Sequence, residues 1–187
     1  MKLNTLGIAH TFLEQHITPG SFCIDATAGR GRDTAFLCRL VGEQGKVLAF
    51  DIQQEAVEAT RTRLKEEGLD TIGEVVLDSH IHMDQYAQPG TVDAVVFNFG
   101  YLPGGDHRIF TRPETSIPAV EQGLSLLREG GVLCACVYHG GDTGYEERDA
   151  LMDYFATIDS KVYTVLVCDF RNRPGDPPIA VLIWKRT

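Results

Sequence analysis

Short apolar runs alternate along the chain with longer stretches in which apolar residues recur at helical spacing. The runs are expected to form strands at residues 22–25, 46–51, 74–78, 92–99 and 131–138. Helices are expected before Pro19 and at residues 33–40, 53–67, 116–127 and 146–158. The run at 92–99 is apolar at nearly every position, which is typical of a parallel-sheet strand buried on both faces.

Two further apolar runs, residues 163–170 and 179–185, are joined by the segment RNRPGDPP. No helix is expected between them, so they are expected to pair as an antiparallel hairpin. With the alternation before them, they predict an α/β fold, doubly wound, with seven strands that are mostly parallel and an antiparallel last strand at one edge. Because the chain of 187 residues contains no repeat or linker, a single domain over residues 1–187 is expected.

Composition and charge narrow the function classes. Hydrophobic residues make up 43% and charged residues 23% of the chain, which excludes intrinsic disorder as the main state. No apolar run has the length of a membrane span, and the first residues lack a secretory apolar core, so a cytoplasmic protein is expected. The five cysteines show no CxxC spacing and are expected to be free thiols. With a net charge of −9, any RNA partner needs a local basic patch.

A glycine-containing turn follows the first predicted strand. Residues 25–34 read DATAGRGRDT, with Gly29 and Gly31 in the turn. Glycines let the backbone approach a ligand, and the N-terminus of the following helix favours anionic groups. Asp51 lies 20 positions after Gly31 at the end of the next strand, where a carboxylate can accept hydrogen bonds from both ribose hydroxyls. The pattern predicts a nucleoside site, and a plain tight turn with helix-capping acids is the alternative.

Two positions indicate which nucleoside. A dinucleotide fingerprint needs a third glycine at position 34, where this chain has Thr34. A dinucleotide also offers no positive amino group for the Asp25 carboxylate before the turn to bind, whereas a ligand that carries such a group does. S-adenosylmethionine carries that group and has no pyrophosphate, so it is the predicted cofactor. Asp78, at the end of the third strand, is expected beside the adenine ring, with a helix-capping role as the alternative.

The turn and its acids resemble those of the class I S-adenosylmethionine-dependent methyltransferases, with Thr27 where many members have glycine. In that family the loop after the fourth strand faces the methyl group of the cofactor. Residues 98–101 (NFGY) resemble the Asn-Pro-Pro-Tyr motif of enzymes that methylate amino nitrogen. The amide oxygen of Asn98 can accept an N–H of the amine, and Tyr101 can stack on a base. Phenylalanine and glycine replace the two prolines, which predicts a less rigid loop; a polar loop without a catalytic role is the alternative.

Over nearly its full length the chain resembles the MnmM-type tRNA methyltransferases, a group also labelled rRNA methylases. The resembling segments are residues 25–34, 98–107 (NFGYLPGGDH), 111–116 (TRPETS), 138–147 (YHGGDTGYEE) and 171–178 (RNRPGDPP). The resemblance implies a Rossmann-like methyltransferase sheet and S-adenosyl-L-methionine as cofactor. It also implies N-methylation of 5-aminomethyl-2-thiouridine, at the wobble position of tRNA, to 5-methylaminomethyl-2-thiouridine. The anticodon stem-loop is then the expected RNA partner, and no membrane partner is expected. A homodimer is one possible oligomeric state.

The candidate site residues fall into three groups. The cofactor-binding candidates are Asp25, Thr27, Gly29, Gly31, Asp33, Asp51, Gln53, Asp78, Ser79, His80 and Asn98. The catalytic candidates are Asn98 and Tyr101 for positioning and His139 as a proton acceptor, with Asp106 and His107 as alternatives, because an ammonium group must lose a proton before it attacks. The substrate or RNA candidates are Arg30, Arg32, His107, Arg108, Arg112, Arg171 and Arg173. The alternative is that the arginines are solvated or form ion pairs with the many acidic residues and contact no RNA.

Other functions remain open at this point. Methylation of an amine in rRNA or in a small molecule would use the same apparatus, although a small molecule would not need the arginines. A non-catalytic module that binds S-adenosylmethionine or RNA is the alternative from a different class. The histidines lack a recognised ligand spacing, so no metal is predicted.

Overall fold

The computed structural model describes residues 3–100, 111–139 and 144–187. Its elements are α1 (Thr5–His16), β1 (Phe22–Asp25), α2 (Arg32–Val41), β2 (Lys46–Asp51), α3 (Gln54–Glu66), β3 (Gly73–Leu77), β4 (Val92–Phe99), α4 (Pro113–Leu126), β5 (Leu127–Val137), α5 (Gly144–Thr157), β6 (Tyr163–Cys168) and β7 (Ile179–Lys185). A short 3₁₀ helix, His80–Gln85, follows β3 and was not predicted from the sequence.

One seven-stranded sheet runs through the molecule in the order β3-β2-β1-β4-β5-β7-β6. Strands β1 to β5 are parallel, and β7 is antiparallel to both of its neighbours. The predicted fold class is confirmed, and the last two strands pair as expected. The last strand lies one place in from the edge, and β6 is the outer strand. The first five residues of β7 are all buried, whereas β6 has exposed positions, so the more apolar strand lies inside.

The strand order reverses between β1 and β4, because β2 and β3 lie on one side of β1 and the remaining strands on the other. In an open α/β sheet, ligands bind beyond the carboxyl ends of the strands at such a reversal. Asp25 ends β1, Asp51 ends β2 and Asn98 is the next-to-last residue of β4. The topology therefore brings these three predicted site residues to the same edge of the sheet.

Helices cover both faces of the sheet. α1, α2 and α3 pack on one face through buried residues that include Leu13, Leu37 and Leu64. α4 and α5 pack on the opposite face, with Leu124 and Leu151 buried there. In the part of the chain described here, no helix is both long and apolar enough to cross a membrane. The cytoplasmic location stays a prediction.

Alternation along β4 determines which way each of its side chains points. Val95, Phe97 and Phe99 belong to the apolar cluster beneath α4 and α5. Val96 belongs to the cluster on the other face, with α1 and α2. Because successive strand side chains point to opposite faces, Asn98 points toward α1 and α2.

Candidate active site

Only glycine fits at position 31 of the turn between β1 and α2. Gly29 and Gly31 have φ angles of 54° and 73°, in the left-handed region. A Cβ atom on Gly31 would lie 2.9 Å from Cα of Thr60 on α3. The Thr60 hydroxyl also donates to the carbonyl oxygen of Gly29 at 3.1 Å. The turn is therefore held against α3, with its backbone at the carboxyl end of β1.

The carboxylate of Asp51 is fixed by two backbone N–H groups. Its Oδ2 accepts a hydrogen bond from Gly29 N at 2.9 Å, and its Oδ1 accepts one from Gln53 N at 3.0 Å. Gln53 is the N-cap residue of α3. Each carboxylate oxygen has a second lone pair, so Asp51 can still accept from ribose hydroxyls.

Asp25 occupies a different environment from the one expected for a ligand contact. Its side chain has no exposed surface. Oδ2 accepts from the Thr34 hydroxyl at 2.6 Å, and Oδ1 accepts from Thr27 N at 3.2 Å. Burial, followed by the nearby charge of Asp33, raises the pKa of Asp25 to about 7. The last residue of β1 points under α2, so Asp25 braces the turn from below and has no face open to a ligand amine.

Asn98 is fixed from two sides. Its backbone N–H donates to the Thr27 hydroxyl at 2.7 Å, which joins the end of β4 to the glycine turn. Its side-chain Nδ2 donates to Oδ2 of Asp33 at 2.7 Å. Because a carboxylate only accepts, the nitrogen of the amide faces Asp33 and the oxygen is turned away from it. The amide oxygen of Asn98, a hydrogen-bond acceptor, is therefore held in one orientation.

Asp33 itself is bound by a residue that the sequence did not point to. Its Oδ1 accepts from Nε2 of His10 on α1 at 2.8 Å, and only 13% of the Asp33 side chain is exposed. The two residues are 23 positions apart, and no motif connects them. His10 could have been found only by knowing that α1 packs beside α2.

The polar group at the end of β3 is centred on Asp78. Its Oδ1 accepts from Ser79 N and from His82 Nδ1, both at 2.7 Å, and its Oδ2 accepts from the Tyr86 hydroxyl at 2.9 Å. The His82 and Tyr86 hydrogen bonds hold the pKa of Asp78 below its ordinary value. Ser79 caps the 3₁₀ helix, accepting from Ile81 N. Sequence reasoning found Asp78 and Ser79 but missed Tyr86.

His80 points inward beneath the site. Its Nδ1 lies 3.3 Å from the carbonyl oxygen of Ala26, and its ring lies edge-on to Phe97 and Phe99. Burial lowers the pKa of His80, so the ring is neutral and donates through Nδ1. Its Nε2 is a buried acceptor with no hydrogen-bond partner among the residues that the structure describes.

The residues on either side of segment 101–110 are joined to each other. Gly100 N donates to the Thr111 hydroxyl at 2.7 Å, and Thr111 N donates to the carbonyl oxygen of Gly100 at 3.0 Å. Glu147 on α5 accepts from the hydroxyls of Thr111 at 2.9 Å and Ser116 at 2.5 Å. Burial raises the pKa of Glu147. Sequence reasoning missed this anchor, and three predicted residues, Tyr101, His107 and Arg108, lie outside the described residues, as does Asp106.

A cavity of about 420 Å³ lies at the carboxyl edge, where α5 meets the β6–β7 connection. Its lining includes His139, Arg148, Phe170, Arg171 and Arg173. The Arg173 guanidinium lies 4.1 Å from the centre of the Phe170 ring. His139 Nδ1 lies 3.4 Å from the carbonyl oxygen of Val137, so Nε2 is the ring nitrogen turned away from this contact. Arg148 was not predicted.

The remaining predicted cations are also at this edge. Arg30 follows Gly29 in the turn, Arg32 begins α2, and Arg112 is the N-cap residue of α4; all three are exposed. Arg171 and Arg173 are exposed as well. Five arginines predicted to contact RNA thus lie at the edge that carries Asp51 and Asn98. In the described ranges, no group of three or more His, Cys, Asp or Glu side chains is placed to hold a metal ion.

Comparisons with known proteins agree over most of the chain. The family model described as "Putative rRNA methylase" matches residues 47–184. A chloroplastic tRNA (mnm(5)s(2)U34)-methyltransferase of Arabidopsis thaliana is 33% identical over 194 residues, which cover 96% of this chain and 68% of the relative.

Two solved structures are similar to this chain over nearly their whole length. One is described as a "putative rRNA-methylase" from Clostridium thermocellum, with a TM-score of 0.96, 42% identity and 99% of both chains covered. The other is a methyltransferase from Streptococcus mutans in complex with SAH, with a TM-score of 0.89, 34% identity and 99% of both chains covered.

Proposed function

The chain belongs to the rRNA methylase family, and we propose that it methylates the aminomethyl nitrogen of 5-aminomethyl-2-thiouridine at the wobble position of tRNA. Its cofactor is S-adenosylmethionine, as the sequence predicted, and it is a methyltransferase that acts on RNA. The proposal concerns the nucleoside and the atom that receive the methyl group. The relative named for the modified nucleoside mnm(5)s(2)U34 supports that choice of substrate.

The observation that carries the proposal is the orientation of the Asn98 amide. Asp33 holds the amide nitrogen at 2.7 Å, so the oxygen is free to accept an N–H of a primary amine. An amine held in this way has a defined direction for its lone pair, which is what an in-line methyl transfer needs. S-adenosylmethionine supplies an already activated methyl group, so positioning by the protein can provide much of the rate.

The residues of the glycine turn fit the cofactor. We assign Asp51 to the ribose hydroxyls, and Asp78 with Ser79 to the adenine side of the site. Gly31 admits no Cβ atom because Thr60 of α3 lies against it, so glycine at this position lets the turn that carries the site pack closely on α3. Asp25 is assigned a bracing role, because its side chain has no exposed surface and its oxygens accept from the Thr34 hydroxyl and Thr27 N.

Proton removal is the second requirement of the reaction. A free aliphatic ammonium has a pKa near ~10, like that of a lysine, and its lone pair is occupied. We assign His139 as the candidate acceptor, because its Nδ1 lies against the Val137 carbonyl oxygen and its ring lines the cavity. Tyr101, His107 and Asp106 keep their predicted roles as hypotheses.

The cavity at the β6–β7 connection supports binding of an RNA strand. Its lining has three arginines, Arg148, Arg171 and Arg173, against two carboxylates, Asp169 and Asp176, and Phe170 supplies a ring on which an unstacked base can lie. Single-stranded loops present unstacked bases, as an anticodon loop does. The anticodon stem-loop is therefore the partner that we propose for this edge.

The experiment is nucleoside mass analysis of tRNA that lacks this methylation, after incubation with the purified protein and S-adenosylmethionine. We expect 5-aminomethyl-2-thiouridine to be converted into its methylamino form. The Asn98→Ala variant is expected to lose at least about a hundredfold in turnover while binding S-adenosylhomocysteine normally. If the wild type binds S-adenosylhomocysteine but leaves this nucleoside unchanged, the proposed substrate is wrong. The same preparation would then be offered rRNA and small primary amines.

A further inference from the structure

A chain of hydrogen bonds crosses from α1 through α2 to β4. His10 donates to one carboxylate oxygen of Asp33 at 2.8 Å, and Asn98 donates to the other at 2.7 Å. Each oxygen of Asp33 thus receives one donor, and the three side chains form a line that ends at the proposed amine-binding amide. We propose that His10 is a positioning residue for methyl transfer, acting through Asp33 on Asn98. This inference rests on the proposed function.

The chemistry of the three groups fixes each orientation. A carboxylate has no proton to donate, so His10 must donate through Nε2 and Asn98 must present its nitrogen. Rotating the Asn98 amide by half a turn would place its oxygen against the Asp33 carboxylate, and two acceptors would repel each other. Asp33 therefore selects one of the two amide orientations, the one that leaves the oxygen for the substrate.

His10 is held in place by packing as well as by this hydrogen bond. Its ring stacks on Phe36 of α2, with centroids 3.9 Å apart and an angle of 11° between the planes. Its neighbours on α1, Ala9 and Leu13, are buried in the core and fix the helix beside α2. The imidazole is thus aimed at Asp33 before any ligand arrives. Without it, Asp33 would keep one donor and gain freedom to rotate.

The test uses two substitutions of His10 that separate packing from hydrogen bonding. His10→Phe keeps a ring that can stack on Phe36 but cannot donate to Asp33, whereas His10→Gln loses the ring and keeps a donor. The matched control is His16→Phe, since His16 lies on the same helix and also makes a side-chain hydrogen bond, accepting from Trp184 Nε1 at 2.9 Å.

Kinetic and binding measurements should distinguish a positioning role of His10 from a general loss of protein stability. We expect His10→Phe to lower kcat about tenfold, with KM for tRNA and the Kd for S-adenosylhomocysteine changed less than about twofold. His10→Gln should recover most of the lost kcat. His16→Phe should lower the thermal unfolding temperature without changing kcat. A fall in kcat that is equal in His10→Phe and His16→Phe would overturn the proposal, since loss of stability would then explain both.

A second readout needs no substrate. The side-chain amide of Asn98 can be observed by ¹⁵N NMR in the whole protein and assigned by its disappearance in Asn98→Ala. We expect His10→Phe to shift this amide signal and speed its hydrogen exchange, and His16→Phe to leave it unchanged. An Asn98 signal that is the same in the wild type and in His10→Phe would overturn the proposal. If the wild type fails to methylate tRNA, the proposed function fails, while the NMR result still decides whether His10 orients Asn98.

Discussion

Replacing Asp25 by asparagine should remove a pH dependence of stability that burial of its carboxyl group creates. Asparagine has the same shape, and its oxygen can still accept from Thr27 N. Its nitrogen can donate to the Thr34 hydroxyl, which can turn to accept. The substitution therefore removes the titration of a buried acid while keeping its hydrogen bonds.

The sign and size of this pH dependence of the free energy of unfolding follow from the raised pKa of Asp25. Burial and the charge of Asp33 raise the pKa of Asp25 from 3.8 to about 7. A raised pKa means that the folded state holds the proton more tightly than the unfolded state does. The stabilisation is complete below about pH 4 and is lost as the pH rises to about 7, in total about 4 kcal/mol at 1.36 kcal/mol per unit. Between about pH 5 and about pH 8 the loss is about 2–3 kcal/mol.

Urea unfolding of the wild type and Asp25→Asn at these two pH values measures the difference. The asparagine variant should gain about 2–3 kcal/mol relative to the wild type on going from the lower to the higher pH. Titrating groups that do not interact with Asp25 are common to both proteins and cancel in the comparison. Asp70→Asn, at an exposed turn after α3, controls for the loss of a negative charge. A wild-type-to-variant difference that stays constant with pH would refute the argument.

Three other substitutions test separate parts of the site. Asp51→Ala should raise the Kd for S-adenosylhomocysteine about tenfold or more, by calorimetry, with an unchanged circular dichroism spectrum; unchanged affinity would reject the ribose assignment. Glu147→Ala should lower the free energy of unfolding by about 1–3 kcal/mol, because two hydroxyl groups lose their buried acceptor, while its exposed neighbour in Glu146→Ala should have little effect. Arg173→Ala should weaken tRNA binding and reduce the slope of log affinity against log salt by about one, which Arg39→Ala, at the far end of α2, should not do. Equal salt slopes for the two arginine variants would exclude Arg173 from the RNA contacts.

Local pattern was sufficient to predict the strands that build the site. β1, β2 and β4 are apolar runs bounded by turn residues or acids, and the predicted bounds match the observed ones. The positions of Asp51 and Asn98 at the carboxyl edge follow from the strand bounds and the parallel order alone. The alternation along β4 also determines the face on which Asn98 lies, so this part of the site was within reach of sequence reasoning.

Contacts between elements could not be predicted in the same way. Asp25 was expected to face a ligand, but the space beneath α2 is filled by its carboxyl group and the Thr34 hydroxyl. His10 lies on a helix that precedes the first strand, and only the packing of α1 against α2 brings it to Asp33. Sequence periodicity reports which face of an element is apolar, but it does not report which polar side chains share the space between two elements.

The structure explains why phenylalanine and glycine stand at positions 99 and 100, where the Asn-Pro-Pro-Tyr pattern has two prolines. Gly100 has a φ angle of 146°, which proline cannot adopt, and a Cβ atom there would lie 3.1 Å from Cβ of Tyr138. Phe99 is fully buried and stacks on Phe97 with ring centroids 4.9 Å apart.

Hydrogen bonds supply the restraint that prolines would otherwise give. On one face of the sheet, Asp33 and Thr27 hold Asn98. On the other side, Thr111 and Glu147 hold the backbone of Gly100. Thr111 and Glu147, which are far from the cofactor turn in sequence, therefore anchor the stretch 98–100 that the turn holds at Asn98. Glu147 anchors the backbone of Gly100 through Thr111, and Asn98 lies only two residues before Gly100. We therefore expect a substitution at Glu147 to change the orientation of Asn98.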